Sequence, residues 1–212
     1  MTSLQHVPAR GVRMPRGERR AQLLRAAREI FADKGYHAAA MDDIAERAGV
    51  SKPVLYQHFP GKRELYLALL DESGEQMLAR IHEALRSTDD NKQRVTATVA
   101  AYFDFVGDPA TAHRLLFESD LVSEPEVRER VDRFTALSAQ EIAKIITEDT
   151  GLPVEESTLL AVGLVGNAQF TARYWAETAG SIPRDIAAEL VATLAWRGIR
   201  GFPKREDGPA AS

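Results

Sequence analysis

The side chains best suited to recognition chemistry crowd into one stretch, Ser51 to Lys62. Leu55 and Phe59 share one side of a short helical segment at a spacing of four, which leaves Lys52, Pro53, Val54, Tyr56, Gln57 and His58 facing out. A solvated helix face is usually built from Glu and Lys. This one mixes a cation, an amide, an imidazole, a phenol and small apolar groups. Those groups suit duplex DNA: Gln pairs with an adenine edge, Val and Pro meet a thymine methyl, and Lys, Tyr and His reach phosphate oxygens. Singly, an exposed His or Tyr is ordinary surface. Gathered on one face after a glycine turn, they predict a helix that reads DNA.

Such a helix needs elements to aim it. Upstream, Ile44, Ala45 and Ala48 mark a short helix from about Met41, with Asp42 and Asp43 in the first turn, where the helix dipole favours carboxylates. Gly49 supplies the turn. Ser51 stands as N-cap, with Val50 and Leu55 placed as a hydrophobic staple around it. Pro53 falls in the first turn, where a missing N–H costs nothing. Before this pair, residues 17–34 place Leu23, Ala26, Ala27, Ile30 and Phe31 on one stripe, and Lys34-Gly35 ends that helix, with Tyr36 folding back. Pro60-Gly61 then breaks the chain before a long helix from Lys62 to about Ser87, in which Gly74 is a soft point worth about 1 kcal/mol relative to alanine.

Charge is divided along the chain. Residues 1–63 hold 12 Lys/Arg and 6 Asp/Glu; the remainder holds 15 and 25, so a net of −4 conceals a basic first third and an acidic rest. The basic third is drawn to a polyanion that the rest repels. Residues 1–15, with arginines at their end, read as a disordered basic arm able to follow phosphates or a minor groove, or simply as a solvated tail.

The rest is helical by period. Stripes at 92–106 and 126–148 flank a short helix reaching about Asp120. Residues 154–178 carry large apolar groups almost all round, so that helix must be covered on all sides, one of them by a second copy of the chain. Residues 183–199 form the last helix, and 203–212 a disordered tail. The expected fold is all-α, with about nine helices: a helix-turn-helix domain over 16–62 and a second domain over 63–202.

Several chemistries are excluded or weak. The 212-residue chain has no cysteine, which removes disulfides and thiolate sites and fits a cytoplasmic setting. No apolar run is long enough for a membrane span, and no signal segment opens the chain. No catalytic or cofactor motif appears: Gly163-x-x-Gly166 lacks a strand before it and reads as close helix packing. His113, Glu118 and Asp120 lack a metal-ligand geometry. No metal or cofactor is expected. A pocket is signalled more weakly. Asn167, Gln169 and Arg173 interrupt the most apolar helix beside Phe170, and Tyr102, Phe105 and Phe117 offer aromatic walls, the usual make-up of a small-molecule site. The same polar groups would equally serve a subunit interface.

At residues 17–70 the chain closely resembles the N-terminal domain of TetR-family transcriptional repressors. The resemblance rests on Ile30-Phe31 with Gly35-Tyr36, Asp43-Ile44-Ala45, Ala48-Gly49-Val50, Ser51-Lys52, and Leu55-Tyr56-x-His58-Phe59 followed by Lys62 and Leu65. It implies a homodimer that binds a near-palindromic double-stranded operator and is released by a small-molecule effector. By position, Lys52, Pro53, Val54 and Gln57 would face bases, and Ser51, Tyr56, His58 and Lys62 would contact phosphates. The last two long helices, 154–178 and 183–199, would form the dimer interface. Repression is the family's common sign. One departure is Ala38-Ala39-Ala40, where many members place Thr or Ser; the lost cap costs about 1 kcal/mol. Two competing readings are a helical small-molecule-binding or enzyme-like protein whose basic N-terminus meets another polyanion, and a helical scaffold.

Overall fold

A computed structural model describes residues 14–108, 121, 124–178 and 181–198. Eight helices run through them: α1 (Arg16–Ala38), α2 (Met41–Arg47), α3 (Lys52–His58), α4 (Lys62–Arg86), α5 (Asn91–Gly107), α6 (Pro125–Thr150), α7 (Val154–Glu177) and α8 (Arg184–Arg197). The expected short helix near Asp120 lies outside the described residues. So do Phe117, His113, Glu118, the first 13 residues and the tail.

The first three helices share one core. Leu23, Ala27, Ile30 and Phe31 of α1 meet Ile44 and Ala45 of α2 and Leu55 of α3, with Phe59 closing the end. Helix α1 continues past the expected stop at Lys34, but with a break. Gly35 turns to φ +73°, a conformation that favours glycine. The break lets Tyr36 fold back, its ring 5.8 Å from Phe31 and 5.1 Å from Tyr66 of α4. Gly49, at φ +65°, makes the turn between α2 and α3. The Gln22 amide donates to the Ala48 carbonyl at 2.7 Å, so α1 holds the end of α2 in place.

Helix α4 belongs to both halves of the molecule. Leu65, Tyr66, Leu69 and Leu70 are buried in its first half, and Met77, Ile81 and Leu85 in its second. It passes through Gly74 as one unbroken helix. The glycine has a different cause: a Cβ on it would lie 2.2–2.4 Å from the Phe134 ring of α6. Ion pairs bind α4 on two sides. Glu72 meets Arg28 of α1 at 2.5 Å, while Asp71 meets Arg133 of α6 at 2.8 Å and Arg130 at 3.4 Å.

Helices α5 and α6 pack on α4, and α7 and α8 pack in turn on those two. Helix α7 turns its small side inward: Ala161, Val165, Ala168 and Ala172 are buried. Its large side chains point outward, with Leu159 73%, Phe170 71% and Tyr174 69% exposed. Helix α8 repeats this inversion, burying Ala187, Ala188 and Ala192 and exposing Ile186, Leu190 and Leu194. A Cβ built on Gly163 or Gly166 meets nothing within 4 Å, so these glycines serve no packing among the described residues. No described helix is long and apolar enough to cross a membrane.

Candidate functional site

The face expected to read DNA is assembled as a surface. Ser51, Lys52, Pro53, Tyr56 and Gln57 are exposed, Val54 and His58 are partly covered, and Leu55 and Phe59 anchor the segment from beneath. Ser51 has the backbone of an N-cap, yet its hydroxyl makes no cap hydrogen bond, so it is available to an outside acceptor. Pro53 stands in the first turn, as its missing N–H requires. Tyr56 is 47% exposed, the one large apolar side chain so placed in the described residues from 15 to 136.

Two expected DNA contacts have duties within the chain. The Lys52 ammonium lies 2.6 Å from Asp42, whose hydrogen bond raises the lysine's pKa and keeps it charged. Both groups are exposed, so the pair is weak and can be exchanged for phosphate. Lys62 is more deeply committed. Its ammonium donates to the carbonyls of Tyr36, His37 and Ala39 at 2.8, 3.1 and 2.9 Å, and sits 4.6 Å from the centre of the Tyr36 ring. Those carbonyls lie at the end of α1, so Lys62 braces that end from α4. Its three N–H donors all have backbone acceptors, so Lys62 has a positioning role within the chain beside the phosphate contact expected of it.

The arginines at the start of α1 border this face. Arg20 lies over the Phe59 ring at 4.5 Å. Partial burial, and then the fields of Arg16, Arg20 and Arg19, hold the His58 pKa below its usual value. The imidazole is therefore neutral near pH 7, and the cationic charge beside it belongs to arginine. The alanine run is offset in part: the Asp43 carboxylate accepts from the Ala40 N–H at 3.4 Å and from Lys34 at 2.8 Å, and both lower its pKa, Lys34 more strongly. Ala40 has no side-chain oxygen to return the bond, so this end of α2 is capped from one side only.

A cavity of about 380 Å³ lies between α5, α6, α7 and α8 and reaches Leu85 of α4. Val95, Val99, Ile142, Ile145, Ile146 and Leu164 form its apolar walls, and Asn91, Arg94, Asp149 and Thr150 its polar end. Arg94 is fixed there by the Leu85 and Thr88 carbonyls at 3.1 and 2.8 Å and by Asp149 at 3.3 Å. A smaller cavity of about 50 Å³ is lined by Gly74, Met77, Phe105, Phe134 and Gln169, among others, and Tyr102 borders both. Burial pushes the Tyr102 phenol up to about 12, against a smaller pull from Ser138, so it stays protonated.

The expected pocket residues therefore divide. Tyr102, Phe105 and Gln169 line cavities. Phe170 and Arg173 line neither of these two: Phe170 lies on the outward face of α7, and Arg173 pairs with Glu177 at 2.8 Å one turn away. Asn167 lines neither cavity, and its side-chain oxygen is buried without a hydrogen-bond partner. The aliphatic cavity walls carried no sequence signal beyond that of an ordinary core. Among the described residues, no group of His, Asp or Glu is placed to hold a metal.

Comparison with known proteins places these features in a family. Residues 23–69 match the family model for bacterial regulatory proteins of the tetR family. Over 194 residues the chain is 47% identical to the HTH-type transcriptional activator FasR of Mycolicibacterium smegmatis, covering 92% of this chain and 89% of that protein. A TetR-like transcriptional regulator from Rhodococcus sp. RHA1 superposes with a TM-score of 0.69 at 29% identity, covering 90% of this chain and all of that one. The regulator FadR of Bacillus subtilis, solved with stearoyl-CoA, shares the fold with a TM-score of 0.71 at 24% identity over 84% of this chain and 98% of that one.

Proposed function

Because this chain belongs to the TetR family of bacterial regulatory proteins, and is thus a DNA-binding transcriptional regulator rather than an enzyme, we propose that it binds a near-palindromic operator as a homodimer and changes its DNA affinity when a long-chain acyl ligand fills the larger cavity. The observation that carries this reading is the path of α4. The helix begins directly after the reading helix, shares the core of the first three helices through Leu65 and Leu69, and ends at the cavity wall with Leu85. A ligand that fits one inclination of α4 better than another shifts the population of reading-head spacings by its differential affinity.

The cavity favours an apolar tail. Its walls are aliphatic, its polar groups gather at one end, and its volume falls within the usual range for small-molecule sites. A fatty acyl chain has that polarity. The stearoyl-CoA bound by the Bacillus subtilis FadR, a protein of the same fold, is a ligand of this class. The outward apolar faces of α7 and α8 support the dimer, and the bare backbone at Gly163 and Gly166 suits close approach of a second helix.

The sign of regulation follows from where the operator lies relative to a promoter. The relative at 47% identity is called an activator, so activation is the first reading for this chain and the repression common in the family the second. A gel shift on the chain's own upstream DNA, titrated with acyl-CoA of increasing chain length, tests the proposal. A sequence-specific, salt-sensitive shift that moves with long acyl chains is expected. A shift indifferent to every acyl ligand would overturn the effector class, and no specific shift would overturn the operator reading. A reporter fused to the bound promoter, compared with and without the regulator, gives the sign.

A further inference from the structure

The larger cavity has a neighbour with different chemistry. A groove of about 670 Å³ runs along the outside of α5 and α8, and Trp196 lines both spaces. The indole is 46% exposed, at the lip between an aliphatic chamber and a polar channel. The two helices antiparallel each other here, since Asp104 near the end of α5 pairs with Arg184 at the start of α8 at 3.2 Å. Charge along the groove is consequently sorted by end. Arg184, Asp104 and Asp185 occupy the far end. Lys92 and Arg197 occupy the end beside Trp196, and neither has an ion-pair partner among the described residues. The nearest acid on the same helix face is Glu189, eight residues before Arg197 and so about 12 Å up the helix.

This sorting has a recognisable use. The geometry points to the Trp196 end of the α5–α8 groove as the subsite for the phosphate-bearing head of an amphiphile whose tail occupies the larger cavity, with Lys92 and Arg197 holding the phosphates and the Trp196 indole stacking on a planar base. The inference rests on the acyl-ligand reading above and names the half of the ligand that the apolar cavity leaves outside. Three features carry it. Two cations on the lining of one groove end, without carboxylate partners among the described residues, leave their donors open to an anion, and Arg adds a planar fork that fits phosphate oxygens. A half-exposed Trp offers an apolar face with a polar edge, suited to a ligand that changes polarity at that point. The groove has volume for a nucleotide, far more than a carboxylate would occupy. The subsite also stays clear of the proposed dimer contact. Trp196, Ala192, Glu189 and Asp185 share one stripe of α8, while Ile186, Leu190 and Leu194 form another about 130° round the helix.

The test compares two heads on one tail. Calorimetry on the full-length protein measures stearoyl-CoA and free stearate, below their micellar concentrations, against the natural sequence and the double variant Lys92→Ala/Arg197→Ala. Stearoyl-CoA should bind the natural protein at least about tenfold more tightly than stearate. The double variant should lose roughly 30-fold for stearoyl-CoA and less than threefold for stearate. Lys144→Ala, outside the groove, should change neither. The chain has two tryptophans, so in a Trp175→Phe background Trp196 is the sole indole, and its emission should change with stearoyl-CoA and stay flat with stearate. Equal loss for both ligands in the double variant, or no loss for stearoyl-CoA, overturns the head subsite while leaving an acyl ligand in place. If the natural protein binds neither ligand, the acyl reading falls and the subsite with it.

Discussion

Two uncovered faces among the described residues are built by opposite rules. Around α3 the large apolar side chains point inward and the surface carries a mixed set of polar groups. On α7 and α8 the alanines point inward and the large apolar groups face out. A polar face loses little by waiting in water for its target. An apolar face of this extent is stable only when covered. On the proposed reading the contrast separates two lifetimes: a DNA contact that is made and released at α3, and a lasting contact between copies at α7–α8.

The comparison breaks most sharply at the dimer. Leu159→Asp combined with Phe170→Asp puts charge at two of the most exposed apolar positions of α7. Sedimentation should show a monomer, and operator affinity should fall by about 100-fold or more, since losing anchors of this kind costs roughly 2 kcal/mol each. A variant that remains dimeric would place the permanent contact elsewhere.

Gly74→Ala addresses the helix common to both halves. The new methyl meets the Phe134 ring at its near edge rather than at a flexible tip. Stability should fall by about 1–3 kcal/mol despite the better helix propensity of alanine. Adding Phe134→Leu should restore most of it in a thermal melt, and no restoration would mean that the crowding lies with another neighbour.

Lys62→Met separates bracing from reading. Removing the ammonium leaves the Tyr36, His37 and Ala39 carbonyls without that donor, and stability should drop by about 2 kcal/mol. The dependence of operator affinity on salt should keep its slope, because this charge already has its partners. Gln57→Ala should do the reverse: an unchanged melt and an altered base preference at one operator position. A lower salt slope in the Lys62 variant would return that residue to the phosphates.

The smallest effect concerns His58, whose pKa is depressed in the free protein. For folding, the unfolded chain takes up its proton first as pH falls. The stability tied to the neutral ring is therefore complete above the ordinary histidine value and lost as pH drops through the depressed one. DNA binding carries the opposite sign, since a phosphate near the ring favours the imidazolium. Affinity should rise modestly between pH 7 and 5.5, and His58→Gln should flatten that rise.

Legibility in the sequence followed the kind of periodicity available. The reading head was readable because apolar stripes, a glycine turn and a proline in the first turn all agree locally on one structure. The phase of α7 was not. A helix apolar all round offers no polar face to orient it, which is how Phe170 and Arg173 were expected in a pocket. The small residues at 161, 168 and 172, with Val165, set the inward side instead. The cavity was equally silent, because Val95, Ile142 and Leu164 read as core from their spacing. Whether core residues touch or stand apart depends on where several helices fall at once. Lys62 shows the same limit at short range: a lysine after Pro-Gly looks like surface until the end of α1 arrives to meet it.

The length of α4 sets the scale of movement that matters. Its 25 residues make a rod of about 37 Å. A tilt of about 3° at the Leu85 end carries Lys62 sideways by about 2 Å, and in a two-fold pair the separation of the two reading helices changes by up to twice that. Stacked bases along one strand repeat every 3.4 Å or so. A rotation of a few degrees is thus enough to put two half-sites out of step by a full base pair.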